Sequence, residues 1–187
     1  MKNAIYLLVI TLLMSACSYK NEPIALQPYK ANYAGAVSQA KTSIYIDSVT
    51  DTRTNKNYIG YAMEDGKKKI SFFSNENFEK KYKDALLFAL NIAEFNTNVS
   101  KMDATIVISL NIKEVELIKT DKSFDENLKG KISLEVIIKQ GMTTTKHNFM
   151  QKEGKWIGHS HKSRDLEPFL TALFSDSIDA VVAKLAQ

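Results

Sequence analysis

The sequence predicts an α+β domain: a two-layer sandwich with two helices on one face of a mostly antiparallel sheet of about four strands. Three observations predict it. Leu128, Gly130, Ile132, Leu134, Val136 and Ile138 alternate with Lys129, Lys131, Ser133, Glu135 and Lys139, the period of a strand buried on one side. Residues 75–95 and 167–186 instead carry apolar side chains at helical spacing. The patterns come in the order strand, hairpin, helix, three strands, helix. A doubly wound parallel sheet would need apolar runs covered on both faces, and the charged alternate positions exclude that.

The elements follow in order. Residues 42–49 form the first strand, with Ile44 and Ile46 alternating with Tyr45 and Asp47. Asp51 opens a turn through Asn55, its carboxylate placed to accept backbone amides two residues on. Residues 58–63 and 67–73 make a small hairpin or extended arm around Asp65-Gly66. Lys67, Lys68 and Lys69 read as a solvated edge that discourages strand pairing; the alternative is a docking edge for an acidic or phospholipid partner.

Ser74 is placed to cap the first helix, with Glu76 and Glu79 in its opening turn. Phe78, Tyr82, Leu86, Ala89 and Ala93 form its core stripe, and Asn96-Thr97-Asn98 ends it. Ile106, Ile108, Leu110 and Ile112 point one way along the next strand, and the parity slips to Val115 and Leu117, which places a bulge near Glu114. Gln140-Gly141 turns the following strand into residues 142–151, and Glu153-Gly154 closes that one. The last helix starts near Glu167, with Pro168 in its first turn, where a missing N–H is harmless. Asp176 and Asp179 mark its wet side.

Ahead of the domain stands a short positive start, Met1-Lys2, and an apolar run from Ala4 to Met14. The run has the length of a signal-peptide core and is too short to span a bilayer. Leu13-Met14-Ser15-Ala16-Cys17 then reads as a lipobox, although Met14 occupies the position where Leu is commonest. Cleavage before Cys17 would leave its thiol to take diacylglycerol and its amine to be acylated. The plainer reading is a secreted protein with a stray thiol. Ser18 follows where Asp would favour retention at the inner membrane. The expected division is therefore 1–16 signal peptide, 17–41 lipidated tether and 42–187 a single domain. The expected location is the periplasmic face of the outer membrane, with the outer leaflet of the inner membrane as the alternative.

Composition narrows the function. The net charge of +4 is mild, and no basic stripe with interleaved aromatics occurs, so nucleic acid is not an expected partner. Cys17 is the sole cysteine, which leaves no disulfide to form within the chain. There is no G-x-S-x-G and no clustered glycine to cradle phosphate. His159 and His161, with His147 upstream, can share one side of an extended strand, but no cysteine or evident carboxylate completes a metal set. They read as surface histidines, with a histidine-based hydrolase as the rival. Asp47 and Asp51 can imitate a catalytic carboxylate pair, yet Asp51 with Arg53 reads better as a fixed turn. No enzyme, cofactor or metal is expected.

The lipobox at Cys17, residues 46–53 (Ile-Asp-Ser-Val-Thr-Asp-Thr-Arg) with Ile59-Gly60 after them, and the terminal stretch 176–181 together resemble the YajG-like family of bacterial lipoproteins. The resemblance covers most of the chain after Thr42. It implies an outer-membrane lipoprotein and carries over no catalytic residue. The expected function is a non-enzymatic structural or accessory factor of the cell envelope, attached to membrane lipid through Cys17 and acting through contacts with envelope proteins. The alternative is an accessory lipoprotein that binds or transports lipid or glycolipid.

Overall fold

A computed structural model describes residues 23–30, 33–38, 41–122, 125–158 and 161–187. Cys17, the segment before it, and His159 lie outside the described residues. Eight elements follow one another: β1 Ile44–Asp51, β2 Tyr58–Glu64, β3 Lys67–Phe73, α1 Phe78–Ile92, β4 Ile106–Lys119, β5 Leu128–Gln140, β6 Thr143–Lys155 and α2 Ser163–Leu185. The class is α+β as expected. The sheet has six strands rather than four.

β4 explains the difference. Its 14 residues are long enough to seat two short strands end to end on one edge. β1 runs parallel along residues 106–112 and β2 parallel along residues 117–119. β3 then pairs with β2, while β5 and β6 extend the other edge antiparallel. The sequence shows the hairpin as a small separate arm because alternation within a strand carries no information about which neighbour it joins.

The core lies between the sheet and both helices. Ile108, Leu110, Ile112, Leu117, Leu134 and Val136 from the sheet meet Tyr82, Leu86, Leu90, Leu173, Phe174 and Ile178, all essentially inaccessible. Tyr82 and Phe174 meet edge to face at 4.7 Å, and the buried Tyr82 hydroxyl is matched by Ser177 Oγ at 3.1 Å. Gly130 is required here. A Cβ on it would lie 2.2 Å from Leu173 and 2.6 Å from Phe169, so its missing side chain sets how closely α2 approaches β5. Gly60 plays the same part between β2 and β4, since a Cβ there would meet the Leu117 carbonyl oxygen at 1.9 Å.

Local chemistry moves several boundaries. The bulge near Glu114 is present, between Ile112 and Glu114. A second bulge falls between Ile46 and Ser48 and turns Val49 and Asp51, rather than Ser48 and Thr50, towards the core. Asn77, not Ser74, caps α1, its Oδ1 accepting the Lys80 N–H at 2.9 Å; Ser74 instead accepts from Glu76 within the preceding turn. At its other end α1 closes before Asn96. The Phe95 N–H donates to Leu90 O and the Glu94 N–H to Asn91 O, with Glu94 at φ +61°, the paired bonds of a Schellman cap. β6 runs on to Lys155, past Gly154. α2 begins at Ser163, four residues before Glu167, which puts Pro168 inside the helix, where it withholds a donor from the Arg164 carbonyl.

The stretch 23–29 departs furthest from its reading as tether. Ile24 and Leu26 are buried in the core. The Ile24 N–H donates to Phe73 O at 2.7 Å, the Ala25 N–H to Glu167 Oε1 at 2.9 Å, and Lys81 Nζ to Leu26 O at 2.7 Å. Tyr29 donates its hydroxyl proton to Asp179. These residues strap α1 and α2 to each other and to the end of β3. Asp179 is thus half covered rather than wet, and burial holds its carboxyl above the usual range. Asp176 is raised likewise, by burial and then by the neighbouring Glu153.

Candidate functional site

The residues singled out in the sequence are not gathered at one place. Asp51 and Arg53 form a buried pair, Arg53 Nη2 lying 2.6 Å and Nε 2.9 Å from the two carboxylate oxygens. Arg53 also donates to Lys56 O and stacks over the Phe78 ring at 4.6 Å. The Asp51 N–H donates to Glu79 Oε1 at 2.9 Å, a bond that, with Lys56, lowers the Glu79 carboxyl below its usual value. Every charge here is used to tie the end of β1 to the start of β2 and of α1. Asp47 is separated from this group by the bulge and pairs with Lys101 at 2.6 Å on the surface. The two aspartates form no carboxylate dyad.

His147 sits on β6 opposite Val136 and beside the Phe149 ring. His161 lies ahead of α2, its Nε2 3.4 Å from Glu64 Oε1. Among the described residues no group of three or more histidine, cysteine or acidic side chains is placed to hold a metal ion. Lys67 and Lys69 are exposed, and Lys68 Nζ lies 3.9 Å above the Tyr61 ring.

A constellation that sequence reasoning missed surrounds Lys119. A cleft of about 380 Å³ opens where the β2–β3 turn, the β4–β5 loop and the approach to α2 converge. Glu64, Asp65, Lys119, Thr120, Asp121, Lys122, Asn127 and His161 line it. Lys119 ends the inward-facing row of β4 that begins with Val115 and Leu117, so its stem continues the core. The residue is only 2% exposed, and burial alone lowers its pKa. The adjacent Thr120 Oγ1 is buried without a hydrogen-bond partner. Both N–H donors of Asn127 are committed, to Lys122 O and Ile157 O, and its Oδ1 accepts the Ile157 N–H. One signal was legible beforehand: a lysine at the third inward position after Val115 and Leu117 breaks an apolar row.

A second concavity, of about 540 Å³, lies between Tyr29 and the exposed Phe88 on α1, with Lys80, Lys81 and Asp84 at its margin.

No protein-family model and no curated protein sequence matches the chain. Solved structures do match in fold. Protein XCC0632 from Xanthomonas campestris, of the DUF330 family, superposes with a TM-score of 0.54 at 10% identity, over 88% of this chain and 90% of that one. An uncharacterized protein superposes with a TM-score of 0.51, again at 10% identity, over 89% of this chain and 100% of the other. At that identity the likeness is one of fold: the chain shares the architecture of a DUF330 protein.

Proposed function

We propose that the protein is a lipid-anchored, non-enzymatic accessory factor of the bacterial envelope, of the kind its YajG-like resemblance implies. It would be attached through acylated Cys17 at the periplasmic face of the outer membrane. The observation that carries this reading is the position of Ile24 and Leu26. They are fixed in the core only seven and nine residues after Cys17. At roughly 3.5 Å per residue, the link from Cys17 to Ile24 spans at most about 25 Å. A permanently acylated terminus would therefore hold the domain against its own membrane, and its partners would be proteins of that membrane or at its surface.

The test is fractionation. Wild-type protein is expected in the outer-membrane fraction with an intact mass carrying diacylglycerol and an N-acyl chain on Cys17; Cys17→Ala is expected free in the periplasm. An unmodified thiol in the wild type would overturn the reading.

A further inference from the structure

The geometry points to a ligand site in the Lys119 cleft for a small zwitterion that carries an oxyanion at one end and an amine at the other, the chemistry of phosphoethanolamine. The inference starts from an anomaly. Fully buried lysines are almost always paired, because an ammonium removed from water without a counter-charge is costly. Lys119 is 2% exposed, lines a cleft, and burial lowers its pKa. Beside it the Thr120 hydroxyl is buried and unpartnered. Asn127, the other buried polar residue of the floor, has no N–H donor to spare. An ammonium on a buried stem that lines a concavity with no hydrogen-bond or ion-pair acceptor among the described residues is half of a charge-assisted contact, and an oxyanion supplies the other half.

The mouth has the opposite character. Asp65, Asp121 and Lys122 are exposed around it and Glu64 is half exposed. Lys122 is turned to Asp125 at 3.2 Å, and Glu64 is faced by His161. Asp121 accepts the Asp65 backbone N–H, a neutral donor. The rim therefore repels a simple anion and attracts a cation, while the floor does the reverse. A ligand charged at both ends satisfies each, and about 380 Å³ is room for a small one. Such a group occurs as a phospholipid head and as a free metabolite. The inference stands whether or not Cys17 is acylated.

Isothermal titration of the purified protein at constant ionic strength tests it, with phosphoethanolamine, inorganic phosphate and ethanolamine as probes. Saturable one-to-one binding of phosphoethanolamine is expected, about tenfold tighter than phosphate, with no heat from ethanolamine. Lys119→Met should abolish binding without lowering the melting temperature, since the thioether suits a buried site. Asp121→Asn keeps the acceptor for Asp65 and should bring phosphoethanolamine down to the affinity of phosphate. A water-soluble short-chain phosphatidylethanolamine separates the sources: binding at least as tight as phosphoethanolamine assigns a lipid head, and no binding assigns a free metabolite. No saturable binding of phosphoethanolamine, equal binding of phosphate, or undiminished binding by Lys119→Met overturns the proposal.

Discussion

Asp51 and Arg53 matter at the residue scale because each is buried and each is the other's counter-charge. A buried pair adds little over a well-packed apolar pair, but removing one partner strands the other. Arg53→Ala is thus expected to cost about 3–5 kcal/mol in urea denaturation, and Asp51→Leu combined with Arg53→Met much less. A loss below about 1 kcal/mol for Arg53→Ala would mean that the pair does not hold the turn. The same reasoning separates Arg53 from Lys119. Arg53 has an acid, two carbonyls and a ring; among the described residues Lys119 has none of these, which is why one reads as structure and the other as the floor of a ligand site.

At the scale of elements, α1 ends with unfavourable residue chemistry. Glu94 occupies the left-handed position of the cap at φ +61°, a conformation that is strained for any residue with a Cβ and free for glycine. Its side chain is exposed. Glu94→Gly is expected to stabilise the protein by about 1 kcal/mol, read as a rise in the urea midpoint at unchanged slope. An unchanged or lowered midpoint would show that the cap is not formed as described. The helix end was misplaced from sequence for this reason: the cap lacks its usual glycine, so Asn96-Thr97-Asn98 looked like the stop. β6 shows the converse. Glycine at 154 looked like an end, yet the strand runs through it because β5 continues to supply partners as far as Leu128 opposite Lys155.

At the scale of the whole molecule, the strap 23–29 decides how the domain is delimited. Its bonds to Phe73, Lys81, Glu167 and Asp179 join three elements distant in the chain. Leu26→Ala is expected to cost about 2–5 kcal/mol of global stability, measured by denaturation of the domain. A flexible tether residue would cost nothing, so a change within about 0.5 kcal/mol would return residues 23–29 to the linker.

By itself the sequence determined the class of fold, the hairpin, the inward rows of β4 and β5, the bulge at Glu114 and the two amphipathic helices, because each is a periodicity written within a few neighbouring residues. It also presented Asp51 and Arg53 as a turn. Only the tertiary structure decided that β1 and β2 share one edge of β4, that Ile24 and Leu26 belong to the core, and that Lys119 meets the loops carrying Asp65, Asp121 and His161. Asp121 apart, which is local to Lys119, those are contacts between segments about 40 to 150 residues apart, and no local pattern encodes which distant surface a side chain will meet.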